Sequence, residues 1–364
     1  MDSHLEETAT PFDVVKVDSR PKFVSALNDG KNAAVLFHGA CEKVLPLLPK
    51  ESVQLILSSP PYCMGKEYEN SHDLDAFVSS HKVVLPMLID ALCEGGSLCW
   101  QVGFHVRKGI VTPLDFLVYD LIREFPEMHL RNRIVWTFGH GLHCNNRFSG
   151  RHEVVLWFTK GPTYDFNLDA VRVEQKYPGK RHAKGALKGE PSGNPLGKNP
   201  GDVWDIPNVK ANHVEKTEHP CQFPVGLAHR LVRALSKPGD IVLDPFAGVS
   251  STGVAALIEK RRFVGAEPVS QYITQGLKRL KGAIDGSTAF RPAEQGIHKP
   301  QLTDKVAQRP PEFDAALSRL AASHSSKTFD VTTATNFSRQ DLSTVSQKNN
   351  SRSLHTPQAE SQNP

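Results

Sequence analysis

Apolar residues along this chain recur with two different periods. Short runs rich in β-branched and aromatic residues predict β-strands. They are "AAVLFH" (33–38), "VQLILS" (53–58), "GSLCWQV" (96–102), "NRIVWTF" (132–138), "HEVVLWF" (152–158), "DIVLD" (240–244) and "RRFVGAE" (261–267). Between them, the stretches 41–50, 73–92, 113–124, 223–235, 251–259 and 269–282 read as helices, several with the three-to-four spacing of an amphipathic face. Strands alternating with helices predict an α/β domain whose mostly parallel sheet is covered on both faces. The runs at 132–138 and 152–158 have no helix between them, so they are expected to pair antiparallel. Residues 1–30 read as a loosely ordered lead-in, and the domain as 31–284. Beyond 285 the sequence turns to Ser, Thr, Gln, Asn and Pro with few large apolar residues, which predicts a disordered tail.

Composition narrows the class only a little. The 364 residues carry a net charge of +4, too small to identify a polyanionic partner. No basic-then-apolar leader and no run of about 18 apolar residues occurs, so the expectation is a soluble intracellular protein without membrane contact. Six cysteines are scattered with no C-x-x-C pair, and the histidines at 129, 140, 143 and 152 are poorly spaced for a metal. No metal site is expected. Charge is uneven, however. The Gly- and Pro-rich stretch 172–198 carries Lys176, Lys180, Arg181, Lys184 and Lys188, a loop that suits either solvent or a nucleic-acid backbone.

Two stretches carry candidate chemistry. The strand at 53–58 is stopped by "SSPPY": prolines 60 and 61 cannot donate to a sheet ladder, and Ser59 and Tyr62 flank them. Later, "IVLDPFAGVSSTGVAALIEKRRFVGAE" (241–267) reads as strand, tight turn, helix, strand and terminal acid. Such a unit binds nucleoside-containing ligands, the turn and helix start holding the polar end and a carboxylate about 20 residues on taking the ribose hydroxyls. Asp244, Phe246, Gly248 and Glu267 are the candidates. The turn lacks G-x-G-x-x-G, and no G-x-x-x-x-G-K-[ST] occurs, which disfavours NAD and ATP. A cofactor with a ribose and no phosphate fits better, and S-adenosyl-L-methionine (AdoMet) is one.

At these stretches the chain resembles the β subgroup of the amino-group DNA methyltransferases, with "SPPY" (59–62) before "DPFAG" (244–248) and matching text at "GDVWDIP" (201–207) and "HPCQFP" (219–224). The resemblance implies a Rossmann-like methyltransferase fold, a seven-stranded sheet with one antiparallel strand and a DNA-recognition insertion at about 140–215. It implies AdoMet contacts from His38, Pro245, Ala247 and Ser250 besides those above. Catalysis would fall to Ser59, Pro60, Pro61 and Tyr62, duplex DNA would be the substrate, and a cognate restriction endonuclease would be a partner. In this family S-P-P-Y goes mostly with cytosine N4; adenine N6, a non-catalytic DNA-binding relative and an RNA methyltransferase are the alternatives. Two departures stand out: Gly39-Ala40 where the family usually has Gly-Asp, and Val249-Ser250-Ser251 where it often has S/T-G-T.

Overall fold

The computed structural model describes residues 13–62, 73–139, 141 and 143–295, with a few isolated positions beyond. Residues Met1–Ile297 form one compact unit, and His298–Pro364 a second of which only scattered positions are described. The first half of the unit runs β1 (Asp13–Val17), α1 (Arg20–Asn28), β2 (Asn32–His38), β3 (Val53–Ser58), α2 (Leu74–Ala91), β4 (Leu92–Val102), β5 (Phe104–Arg107), β6 (Ile110–Pro113) and α3 (Leu114–Ile122). The second half runs β7 (Met128–Thr137), β8 (His152–Lys160), β9 (Val203–Asp205), α4 (Val225–Leu235), β10 (Ile241–Asp244), α5 (Ser251–Ile258), β11 (Arg262–Glu267) and α6 (Ser270–Asp285).

Nine strands form one sheet in the order β1-β2-β11-β10-β3-β4-β8-β7-β9. β8 alone runs against its neighbours, pairing antiparallel with both β4 and β7. The inner seven strands are thus the expected sheet, the 132–158 hairpin supplying the antiparallel member, and β1 and β9 extend it at the two edges. Side chains alternate between two apolar cores, as a pleated strand requires. On β2, Val35 and Phe37 face α1, α2 and α3, while Ala34 and Leu36 face α4, α5 and α6.

Three expectations are corrected. Residues 13–28 are β1 and α1, not a loose lead-in, because Val17, Phe23 and Leu27 bury their side chains against β2 and its neighbours. The stretch 41–50 makes two 3₁₀ turns instead of a helix, Cys41 being buried by the first and Leu45 by the second. Residues 286–295 are not tail: Ala293 is buried and Phe290 packs beside α4. The rest of the expected tail lies almost wholly outside the described residues.

From β10 the sheet is built outward one way through β11, and from β3 the other way through β4. The order therefore reverses between β3 and β10, and the loops leaving their carboxyl ends diverge and open a crevice. Those loops are "SPPY" and "DPFAGVS".

Candidate active site

A cavity of about 510 Å³ lies at this reversal, and Ser59, Pro60, Pro61, Tyr62, Pro245, Phe246, Ala247, Gly248 and Glu267 all line it. Two segments 186 residues apart in sequence are pinned together beneath it: Ser58 Oγ donates to Asp244 Oδ1 at 2.5 Å. The same oxygen accepts the Phe246 N–H at 3.1 Å, which turns the chain after the strand. Asp244 is completely buried, and burial raises its carboxyl to about 6. Asp244 is therefore a brace beneath the loop and does not line the cavity.

Glu267 ends β11. Its Oε2 accepts the Gly248 N–H at 2.9 Å and its Oε1 the Val269 N–H at 2.7 Å. A carboxylate oxygen has a second lone pair, so both can still accept a hydroxyl from a ligand. Burial is the main reason this carboxyl is pushed up to about 7. The turn between is tight. Gly248 has φ 50°, and a Cβ there would sit 3.2 Å from the His219 ring. Ser250 also holds a left-handed backbone, φ 63°, at the position where the resembling family has glycine, and its buried Oγ has no hydrogen-bond partner. Ser250 and His38 do not line the cavity. The Ser250 hydroxyl is turned inward towards α6, and β2 reaches the cavity only past its end, through Ala40, Cys41 and Glu42.

The opposite wall holds groups that the sequence reading passed over. Gln101 Nε2 donates to the Tyr62 hydroxyl at 3.0 Å and to the Glu153 carboxylate, which itself accepts from Tyr62 at 3.5 Å. The Ser59 and Tyr62 oxygens stand 3.4 Å apart. Burial, and then the Glu153 charge, push the Tyr62 phenol well above its ordinary range, so it stays protonated. A polar residue inside an apolar strand was the available signal, since Gln101 is almost fully buried on β4. Glu153 opens β8, and only the antiparallel direction of that strand brings it here. Trp136 and Phe138 at the end of β7, and His219 packed against Tyr272 at 4.5 Å, complete the enclosure.

The segment after β9 closes this wall. Glu215 Oε2 accepts the first N–H of α4 (Val225, 2.8 Å), and its Oε1 accepts the Arg291 N–H (3.0 Å). Arg279 lies 3.8 Å from the same carboxylate and donates to the Val249 carbonyl of the turn at 2.5 Å. "HPCQFP" is thereby held against the cofactor-type turn.

Residues 53–278 match the family model for amino-group (N6/N4) DNA methylases. The chain belongs to this family. Its relatives include the type II methyltransferase M.BglII of Bacillus subtilis, 42% identical over 259 residues, covering 70% of this chain and 71% of the relative. The DNA adenine methyltransferase YhdJ of Escherichia coli K12 is 33% identical over 284 residues, covering 77% and 92%. Among solved structures, the PvuII cytosine-N4 DNA methyltransferase superposes with a TM-score of 0.56 over 75% of this chain and 93% of that one; at 20% identity this shows the fold. This DNA methylase is an amino-group methyltransferase, and its cofactor is AdoMet.

Elsewhere on the methylase, Lys176, Lys180, Arg181, Lys184 and Lys188 are exposed and form no ion pair among the described residues. Their loop is ordered by its own bonds, such as Ser192 N–H to the Lys180 carbonyl, and bridged at its base between Val173 and Lys198. The chain leaves β8 at the end of the sheet away from the cavity and returns towards it along β9. The expected 140–215 insertion is thus not one body: two sheet strands, β8 and β9, run through it. Among the described residues no group of three or more His, Cys, Asp or Glu could hold a metal, and no helix is long and apolar enough to cross a membrane.

Proposed function

We propose that this methylase lifts a cytosine out of duplex DNA and methylates its exocyclic N4 at a specific sequence. The observation that carries the reading is the Ser58–Asp244 bond, which sets the SPPY loop beside the cofactor-type turn on one cavity. Glu267 suits the ribose hydroxyls, and Phe246, Pro268 and Val269 offer an apolar seat for a flat ring. Bound there, AdoMet supplies an electrophilic methyl group.

The chain's own residues then prepare the nucleophile. The lone pair of an exocyclic amine is delocalised into its ring, and acceptors on both N–H groups pull the nitrogen towards tetrahedral geometry. The Pro60 carbonyl, fixed by the ring of Pro61, and the Ser59 hydroxyl are such acceptors. Tyr62, held by Gln101 and Glu153, gives the flipped base a stacking surface. A hydroxyl at the first position suits a cytosine edge. The adenine-N6 reading keeps the same scaffold and draws support from the likeness to YhdJ. Restriction–modification is the natural setting, with a cognate endonuclease cutting the unmodified site.

DNA from cells expressing the methylase, sequenced with modification detection and digested for mass spectrometry, should contain N4-methylcytosine at one site. N6-methyladenine alone would overturn the base assignment. Ser59→Ala should slow methyl transfer about tenfold or more, near 1.4 kcal/mol of barrier, with AdoMet affinity unchanged. Full activity in that variant would remove the mechanism.

A further inference from the structure

The loop joining β7 to β8 has both its roots in the cavity wall: Trp136 and Phe138 before it, Glu153 after it. Its base is closed by the Phe138 N–H to the Arg151 carbonyl at 3.0 Å. Shortly before its returning root stands Phe148, 99% exposed, the most exposed large apolar side chain among the described residues. Single apolar residues on a surface are ordinary and need no explanation. This one differs in being braced on both sides. The Ser149 hydroxyl accepts the Cys144 N–H at 3.1 Å and so pinches the loop around residues 145–148. Arg147 lies 5.9 Å over the Phe104 ring, and Gly150 sits so close to that ring that a Cβ would have no room. The loop, rooted in the cavity wall, therefore holds an aromatic ring out in solvent, with Arg147 and Arg151 and exposed Asn145 and Asn146 near it in sequence.

We propose that Phe148 is a wedge that enters the duplex where the target base leaves it, with Arg147 and Arg151 meeting the adjoining phosphates. This deepens the base-flipping reading above and rests on it. Removing a base from the stack costs its stacking and pairing and leaves a gap that water fills poorly. Apolar side chains inserted between base steps accompany unstacking in proteins that kink DNA. A planar ring fits such a gap, and its exposure in the free protein is the feature that insertion would reverse. The arginines supply attraction that is independent of sequence. Because Phe148 touches the duplex and not the reacting amine, it is a positioning residue.

The test uses the full chain and the site found by modification sequencing, as a normal duplex and as one with an abasic position opposite the target. A third duplex carries 2-aminopurine in place of the target base, whose fluorescence rises when it leaves the stack. Phe148→Ala should lose the fluorescence rise and slow single-turnover transfer by about tenfold on the normal duplex. The abasic position removes the pairing partner, so on that duplex the variant should come close to the wild type. Phe148→Trp should behave as wild type on both, and AdoMet affinity measured by calorimetry should be the same throughout. Equal losses on both duplexes, or none on either, would overturn the wedge while leaving flipping intact. A wild-type protein that methylates its site without any fluorescence rise would instead remove the flipping reading, and the wedge with it.

Discussion

Ser250 shows how a departure from a family pattern can keep the backbone and change its cost. The turn needs a left-handed residue before α5, and glycine takes that conformation without steric penalty. Here serine takes it, at φ 63°, and buries a hydroxyl with no partner. Ser250→Gly should raise stability by about 1 kcal/mol, read as a shift of the denaturant midpoint at unchanged slope. A lower midpoint would show that the hydroxyl contributes more than the strain costs. Glu267 carries the second prediction at this scale. Burial holds its carboxyl near 7, and on the proposed reading the ionised form is the one that accepts ribose hydroxyls. AdoMet affinity should therefore weaken as pH falls through about 7, with protons released on binding below that pH. Glu267→Gln should be weaker and flat; calorimetry in buffers of different ionisation enthalpy would expose a wild type that is flat as well. Sequence alone singled out Gly248 and Glu267, which share one local unit, and both line the cavity. It could not show that Asp244 braces the loop from beneath or that the Ser250 hydroxyl turns towards α6, because those directions are set by β3 and α6, which are distant in sequence.

At the scale of elements, most of the sheet was legible because buried parallel strands are continuous apolar runs between helical stretches. The edges were not. β1 is short, half-exposed and carries Asp13 and Lys16, and β9 is three residues long, so neither has a pattern that distinguishes it from loop. The basic loop 172–198 was legible as a loop and as basic, but not in where its roots lie: it leaves the sheet at the end away from the cavity. If its cations meet DNA, they do so on backbone that runs past the active site, and they add affinity without reading bases. Neutralising Lys180, Arg181 and Lys184 together should flatten the salt dependence of DNA binding by about one unit of slope for each phosphate the variant no longer neutralises, alike for cognate and unrelated duplexes. An unchanged slope would return the loop to solvent. A weakening confined to the cognate site would assign it to base reading.

At the largest scale, one buried carboxylate ties α4, α6 and the segment after α6 together. Glu215 joins the start of α4 and the Arg291 backbone directly, and through Arg279 it reaches the Val249 carbonyl of the cofactor-type turn. Residues 286–295 belong to this arrangement although their composition resembles the tail that follows. Arg291 supplies a backbone donor, Ala293 is 7% exposed, and Gly226 on α4 has no Cβ because the Arg291 carbonyl would be 2.6 Å from it. Composition could not mark this boundary, since the segment is held by backbone groups and two modest apolar side chains. A chain ending at Asp285 should therefore lose about 2–4 kcal/mol, from uncovered apolar surface and from a donor taken away from a buried carboxylate. Arg279 would then be left to satisfy Glu215 with less support, so the turn at Val249 should loosen and AdoMet affinity fall along with stability. A chain ending at Ile297 keeps all of these interactions and should match the full-length protein in both measurements. Equal denaturant midpoints for the two truncations would show that residues 286–295 merely lie on the surface; a lower midpoint with unchanged AdoMet affinity would confine their effect to α4 and break the link to the turn.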